Sequence, residues 1–108
     1  MDTVSFEEFK KLNIRVCRIL EVKDHPDADK LYILEVDIGG EKREAVAGLK
    51  AAYKPEELQG KLVAFVENIA PATIRGVESK GMVLAAQDDK KIVVLSPEKD
   101  IAPGSKVK

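Results

Sequence analysis

The chain has 108 residues, which suits one domain and is too short for an α/β barrel or for a nucleotide domain joined to a substrate domain. Hydrophobic residues make up 44% and charged residues 34%, which excludes a disordered chain; no apolar run approaches the ~20 residues of a membrane-spanning helix, so no membrane partner is expected. The 18 Lys and Arg nearly balance the 19 Asp and Glu, for a formal charge of −1. That argues against a surface basic all over, yet leaves room for a local basic face, because phosphate responds to the field at the site.

The N-terminus, MDTVSFEEFKK, carries acids and no apolar signal region, so the cytoplasm is the expected compartment. Ser5 and Glu8 form an S-x-x-E capping box, which predicts a short helix over 6–11. Phe6 and Phe9 share one face of it, and the helix is expected to plug a sheet or one end of a barrel. From Asn13 to about Lys23 the period is two, that of a strand. HPDADK (25–30) breaks that strand, since Pro26 fixes φ and the aspartates favour Asx turns. A second strand runs from Leu31 to Ile38, Gly39-Gly40 marks a hairpin, and a third strand runs from Lys42 to Ala47. Residues 48–58 read as a loop with one helical turn, Pro55 standing at its first position. The fourth strand is Lys61 to Val66, an irregular stretch covers 68–81, and the fifth strand is Met82 to Ala86. A turn at Asp88-Asp89, an apolar run IVVL (92–95) and a tail with Pro, Gly and Lys close the chain.

Three strands, a helical turn and two strands are the order of the OB-fold, a five-stranded Greek-key barrel. The expected architecture is therefore all-β: a barrel over about 13–87, a short N-terminal helix, a helical turn between strands three and four, and an extension over about 88–108. The single cysteine, Cys17, lies in an alternating run and reads as a core residue that cannot form an intrachain disulfide. With His25 it makes two Cys/His residues, too few for a structural zinc site. Asp24, Asp27 and Asp29 lack the spacing and closing glutamate of a calcium loop and read as turn caps. No nucleophile elbow, P-loop or dinucleotide motif is present. The expectation is a protein without catalytic residues, metal or cofactor.

Three stretches are more specific: HPDADKL (25–31), AVAGLK (45–50) and NIAPATIRGVESKGMVLAA (68–86). Together they resemble the tRNA-binding domain family found at the C-terminus of methionyl-tRNA synthetases, in free-standing bacterial tRNA-binding proteins, and in endothelial-monocyte-activating polypeptide II. The resemblance implies an OB-fold that binds tRNA by its structure and raises a synthetase's affinity for its substrate, as a C-terminal domain or a small separate subunit, with the catalytic part of methionyl-tRNA synthetase as a partner. A peptide-binding, chaperone-like protein is the alternative, because one bacterial branch of the fold is associated with secretion.

Matching the family's binding motif are Lys30 in the turn, Asn68 after the fourth strand, and Arg75, Ser79, Lys80 and Met82 in the loop before the fifth. Arg75 offers a forked donor for phosphate. Ser79 and Asn68 suit a 2′-hydroxyl or a base edge. Met82 suits an unstacked base. The chain departs from the family where basic positions have become Ala70 and Thr73, and where Ala47 replaces a common serine, so a thinner basic surface is expected. Strands two and three carry one aromatic residue, Tyr32, which favours recognition of shape and backbone over stacking of single strands. A homodimer is expected through Ile92, Val94 and Ile101. The apolar run in the extension cannot bury both faces on a small barrel, and related bacterial members dimerise through their terminal segments.

Overall fold

The computed structural model describes residues 1–108. A single long strand organises it. After α1 (Phe6–Phe9), β1 (Ile14–Asp24) pairs antiparallel with β2 (Tyr32–Asp37), which pairs with β3 (Lys42–Ala47). Beyond α2 (Pro55–Leu58), β4 (Leu62–Val66) pairs with the first half of β1. β1 serves β2 on one edge and β4 on the other, and its register with β2 shifts between Ile19 and Glu21. Such a bulge bends a strand and increases its twist. At the bend, the Ile19 amide donates to the Lys61 carbonyl and the Gly60 amide donates to the Ile19 carbonyl.

The rest of the chain closes the sheet. β5 (Ala72–Ile74) and β6 (Val77–Ser79) form a small hairpin, and β7 (Met82–Val83) returns to pair with β4. The order β3-β2-β1-β4-β7 leaves β3 and the β6–β7 segment as facing edges. The Lys80 amide joins them by donating to the Glu44 carbonyl at 3.0 Å. This is a nearly closed all-β barrel of the OB type.

The core follows from strand alternation. Every second residue of β2 is buried, and with Cys17, Ile19, Val63 and Phe65 these side chains fill the barrel. Burial pushes the Cys17 thiol up from an ordinary 9.0 to about 12, helped by the nearby Asp37 carboxylate. It is a core residue, as the alternation required.

Two expectations about the chain ends need correction. The capping box at Ser5 and Glu8 forms, but the helix it starts plugs nothing: no residue of α1 is buried, and Phe6 is 70% exposed. Fully buried Leu58 of α2 sits in the core instead. Pro55 at the first helical turn and the Glu57 carboxylate, which accepts from the Lys54 amide at 2.7 Å, start that helix.

The C-terminal segment is more integrated than an extension. β8 (Ala85–Gln87) pairs with β9 (Ile92–Val94), and Val94 is buried in the core. The Val94 amide donates to the Tyr53 hydroxyl at 3.0 Å, and the Leu95 carbonyl accepts from Ala64. β10 (Lys106–Val107) then pairs with Ile14 and Arg15, on the edge of β1 that β2 leaves free. Val94 is thus a core residue of its own chain, while Ile101 stays exposed.

Gly81 is where sequence and packing meet most tightly. Its φ is +135°, and a Cβ there would lie 2.1 Å from Cζ of Phe65. The ring occupies the space a side chain would need. Gly81→Ala is expected to destabilise the protein by about 3 kcal/mol or more through overpacking and backbone strain. Combining it with Phe65→Leu should recover part of that loss. Chemical denaturation of the single and double variants measures both, and additive losses would contradict this account.

Candidate nucleic-acid interface

The turn between β1 and β2 and the β5–β6 hairpin are far apart in sequence and latched together in space. His25 makes the first link. It is buried, its Nδ1 accepts from the Asp27 amide at 3.0 Å, and its Nε2 therefore carries the proton it donates to the Ile74 carbonyl at 3.0 Å. Arg75 makes the second, donating from Nη2 to the Asp27 carbonyl at 2.8 Å. Neither partner was visible in the sequence. The signal that could have been used is the position of the only histidine, at the corner where a strand must turn before a proline.

Arg75 itself sits at φ +52°, followed by Gly76 at +88°. Two positive φ values between paired Ile74 and Val77 are the requirement of a type I′ hairpin turn. A non-glycine residue there costs roughly 1–2 kcal/mol, so the turn holds an arginine at a position where glycine would be more stable. One guanidinium nitrogen is used on Asp27, and the remaining donors face outward on an exposed tip.

The six motif residues divide into two groups. Lys30 is exposed. Lys80 is exposed and lies 3.7 Å from Glu78, each side chain 56% exposed, a pair so weakly held that phosphate can compete for the lysine. Met82 is 42% exposed. Arg75 is exposed as well. Arg75 makes no ion pair with Glu78, which instead lies beside Lys80.

Ser79 and Asn68 do other work. Ser79 is buried, its hydroxyl accepts from the Val46 amide at 2.9 Å and donates to the Gly81 carbonyl at 3.1 Å. Its donor is spent inside the protein, where the hydroxyl ties the loop to β3. Asn68 is exposed, but its Oδ1 accepts from the Asn13 amide at 2.7 Å and its Nδ2 donates to the Lys11 carbonyl at 2.6 Å. It fastens the segment between α1 and β1. Below it, Glu67 gathers Asn13, Arg15 and Arg43: Arg15 Nε donates to its carboxylate at 2.7 Å, and Arg43 Nη1 to its carbonyl at 2.6 Å. Tyr32 is no stacking platform either, being buried with its hydroxyl donating to the Tyr53 carbonyl.

Beside the cations lies an apolar groove of about 390 Å³, which sequence reasoning missed. Leu49, Ile69, Ala72, Ile74, Met82 and Ile92 are among its walls. Ala70 lines it too. No group of three or more His, Cys, Asp or Glu side chains is placed to hold a metal ion. No helix is long and apolar enough to cross a membrane.

Comparison with known proteins places these features in a family. Residues 14–106 match the family described as a putative tRNA binding domain, and the chain belongs to it. The methionine–tRNA ligase of Pyrococcus furiosus is 55% identical over 108 residues, which is all of this chain but 15% of the ligase. The chain thus spans about a seventh of the length of such relatives. A MetRS related protein from Pyrococcus horikoshii superposes with a TM-score of 0.93 at 32% identity, covering both chains completely. A CsaA chaperone protein from Picrophilus torridus superposes with a TM-score of 0.91 at 30% identity, over 98% of this chain and all of the other. The chain is a tRNA-binding module of the kind that occurs in methionine–tRNA ligase.

Replacing Ser79 with Ala leaves the Val46 amide without a partner in a buried place, which costs about 1–3 kcal/mol. Ser79→Ala should lower the thermal midpoint by roughly 4–8 °C for each kcal/mol lost, as read by calorimetry. Asn68→Ala should loosen the N-terminal segment, seen as faster amide exchange at Asn13. A Ser79→Ala protein as stable as the parent would contradict the role of the hydroxyl as a clasp.

Proposed function

We propose that the module is non-catalytic and raises the affinity of a methionyl-tRNA synthetase for tRNA, as the C-terminal domain of that enzyme or as a small separate subunit, in the cytoplasm. The observation that carries this reading is the latch: His25 and Arg75 hold two loops together and leave exposed Lys30, Lys80 with only its weak pair to Glu78, and the other guanidinium donors of Arg75 for a ligand. Rigid, spaced cations recognise the shape of a folded phosphate backbone, with little dependence on sequence. The near-neutral total charge keeps contacts with unrelated nucleic acid weak.

A homodimer supports the same function, since two weak sites on one rigid body gain affinity when both engage. Its interface shifts from the one expected. Val94 is core and Ile92 lines the groove. The exposed apolar residues include Val93 and Leu95 of the apolar run, Val4, Phe6, Phe9 and Leu12 at the N-terminus, and Ile101 and Val107 near the C-terminus. The two termini meet on β1, where Ile14 pairs with Val107. A second copy covering this end would bury the apolar face of α1, the same patch on each subunit.

The CsaA likeness favours a second reading, a peptide-binding chaperone, for which the apolar groove would be the site. Gel-shift titrations with total tRNA, 5S RNA and duplex DNA over a salt series separate the two. The first reading expects tRNA to bind best and to weaken with salt. Arg75→Gly should relax the turn and still weaken tRNA binding, and Lys80→Ala should weaken it too. Each should lower the slope of log K against log salt by about one unit or slightly less. Unchanged affinity in both variants would remove the loops from the site. Sedimentation equilibrium should show a dimer at tens of micromolar, with Phe6→Glu, an exposed position, giving folded monomers. A monomeric parent protein would end the dimer proposal.

A further inference from the structure

The groove carries a more specific reading than a charged surface alone. At about 390 Å³ it falls at the small end of the roughly 300–1,000 Å³ range of ligand sites. Such sites combine apolar walls with a few placed polar groups. Two polar side chains, Ser79 and Gln87, line the groove. The Ser79 hydroxyl is spent on Val46 and Gly81. Gln87 is exposed and its amide makes no hydrogen bond within the protein.

Exposed cations lie close to it along the chain, Arg75 directly after Ile74 and Lys80 between Ser79 and Gly81. An apolar slot on a module that binds RNA suits a flat, weakly polar ring attached to a phosphodiester chain. It suits an extended peptide less well, because the neighbouring strand edge is already occupied. The Glu44 carbonyl and the Val46 amide of β3 are bonded to Lys80 and Ser79, so a peptide cannot pair with that stretch of β3.

We infer that this groove receives an unpaired nucleobase of the bound RNA, held between aliphatic side chains including Met82 and Ile69, with the Gln87 amide on its edge. Adenine fits best, because one side-chain amide can make two hydrogen bonds to it. The inference rests on the RNA-binding reading and adds to it: the cations hold the folded backbone, and the groove holds a base from a loop or an end. No aromatic platform is needed, since Met82 supplies a flexible, polarizable surface.

The test uses the whole chain, an oligoadenylate of about eight nucleotides, an RNA hairpin with a fully paired stem, total tRNA, and an apolar peptide. Ala72 is an exposed lining residue, so Ala72→Leu fills the groove while keeping the fold, as thermal melting would verify. Ala72→Leu and Gln87→Ala should each weaken oligoadenylate binding about tenfold and leave stem binding and its salt slope unchanged. Lys80→Ala should weaken both RNAs. Wild-type affinity of Ala72→Leu for oligoadenylate would overturn the inference. So would peptide binding that is lost in Ala72→Leu while RNA binding is kept. If the parent protein binds no tRNA, the RNA-binding reading falls with it; if tRNA binds and the groove variants bind every RNA normally, only the groove assignment falls.

Discussion

Between β3 and the segment joining β6 to β7, strand pairing is not continuous. One backbone bond, from Lys80 to Glu44, and the bond from the Val46 amide to the Ser79 hydroxyl hold those edges together, while the same hydroxyl donates to Gly81 within its own segment. Everything that presents the interface hangs on this seam. It sets where the β5–β6 hairpin lies, and so where Arg75 and Lys80 point. It also brings Gly81 against the Phe65 ring, at a distance no side chain would allow. A hydroxyl suits the place because it accepts from one buried amide and donates to one carbonyl in a single short side chain.

The latch across the two loops works in series with that seam. His25 and Arg75 bind main-chain carbonyls, at Ile74 and Asp27. Their contacts depend on backbone position, and the neighbouring side chains are left free to meet a ligand. Rigidity matters here because the charges are few. A lysine on a mobile loop loses conformational freedom when it grips a phosphate, whereas a latched loop has already lost it. The positive φ of Arg75 belongs to the same arrangement: strain in the turn is tolerated where the surrounding bonds over-determine it.

The ends of the chain solve a different problem. β1 has a long edge that β2 covers only from Arg18 onward, and β10 covers its start by pairing with Ile14 and Arg15. An uncovered edge would be a template for pairing with other chains. The tail removes that hazard while leaving the apolar face of α1 outside.

The alternation in β2, the capping box at Ser5, the Gly39-Gly40 hairpin and the core place of Cys17 were all legible in the sequence, because each depends on neighbours within a few residues. The strand order and the family motifs pointed to the barrel and to its loops. What only the tertiary structure decided was the division of labour among the motif residues. Ser79 and Asn68 carry side chains that RNA could use, yet both are spent on amides and carbonyls from β3 and from the segment before β1. Val94 carried the same apolar pattern as an interface residue, yet it joins the core through the Tyr53 hydroxyl and the β8 pairing. The groove likewise exists only once β3, the hairpin and β8–β9 converge. Sequence records what a side chain can donate, accept or bury; whether that capacity is still free depends on which distant backbone groups the fold brings within reach of it.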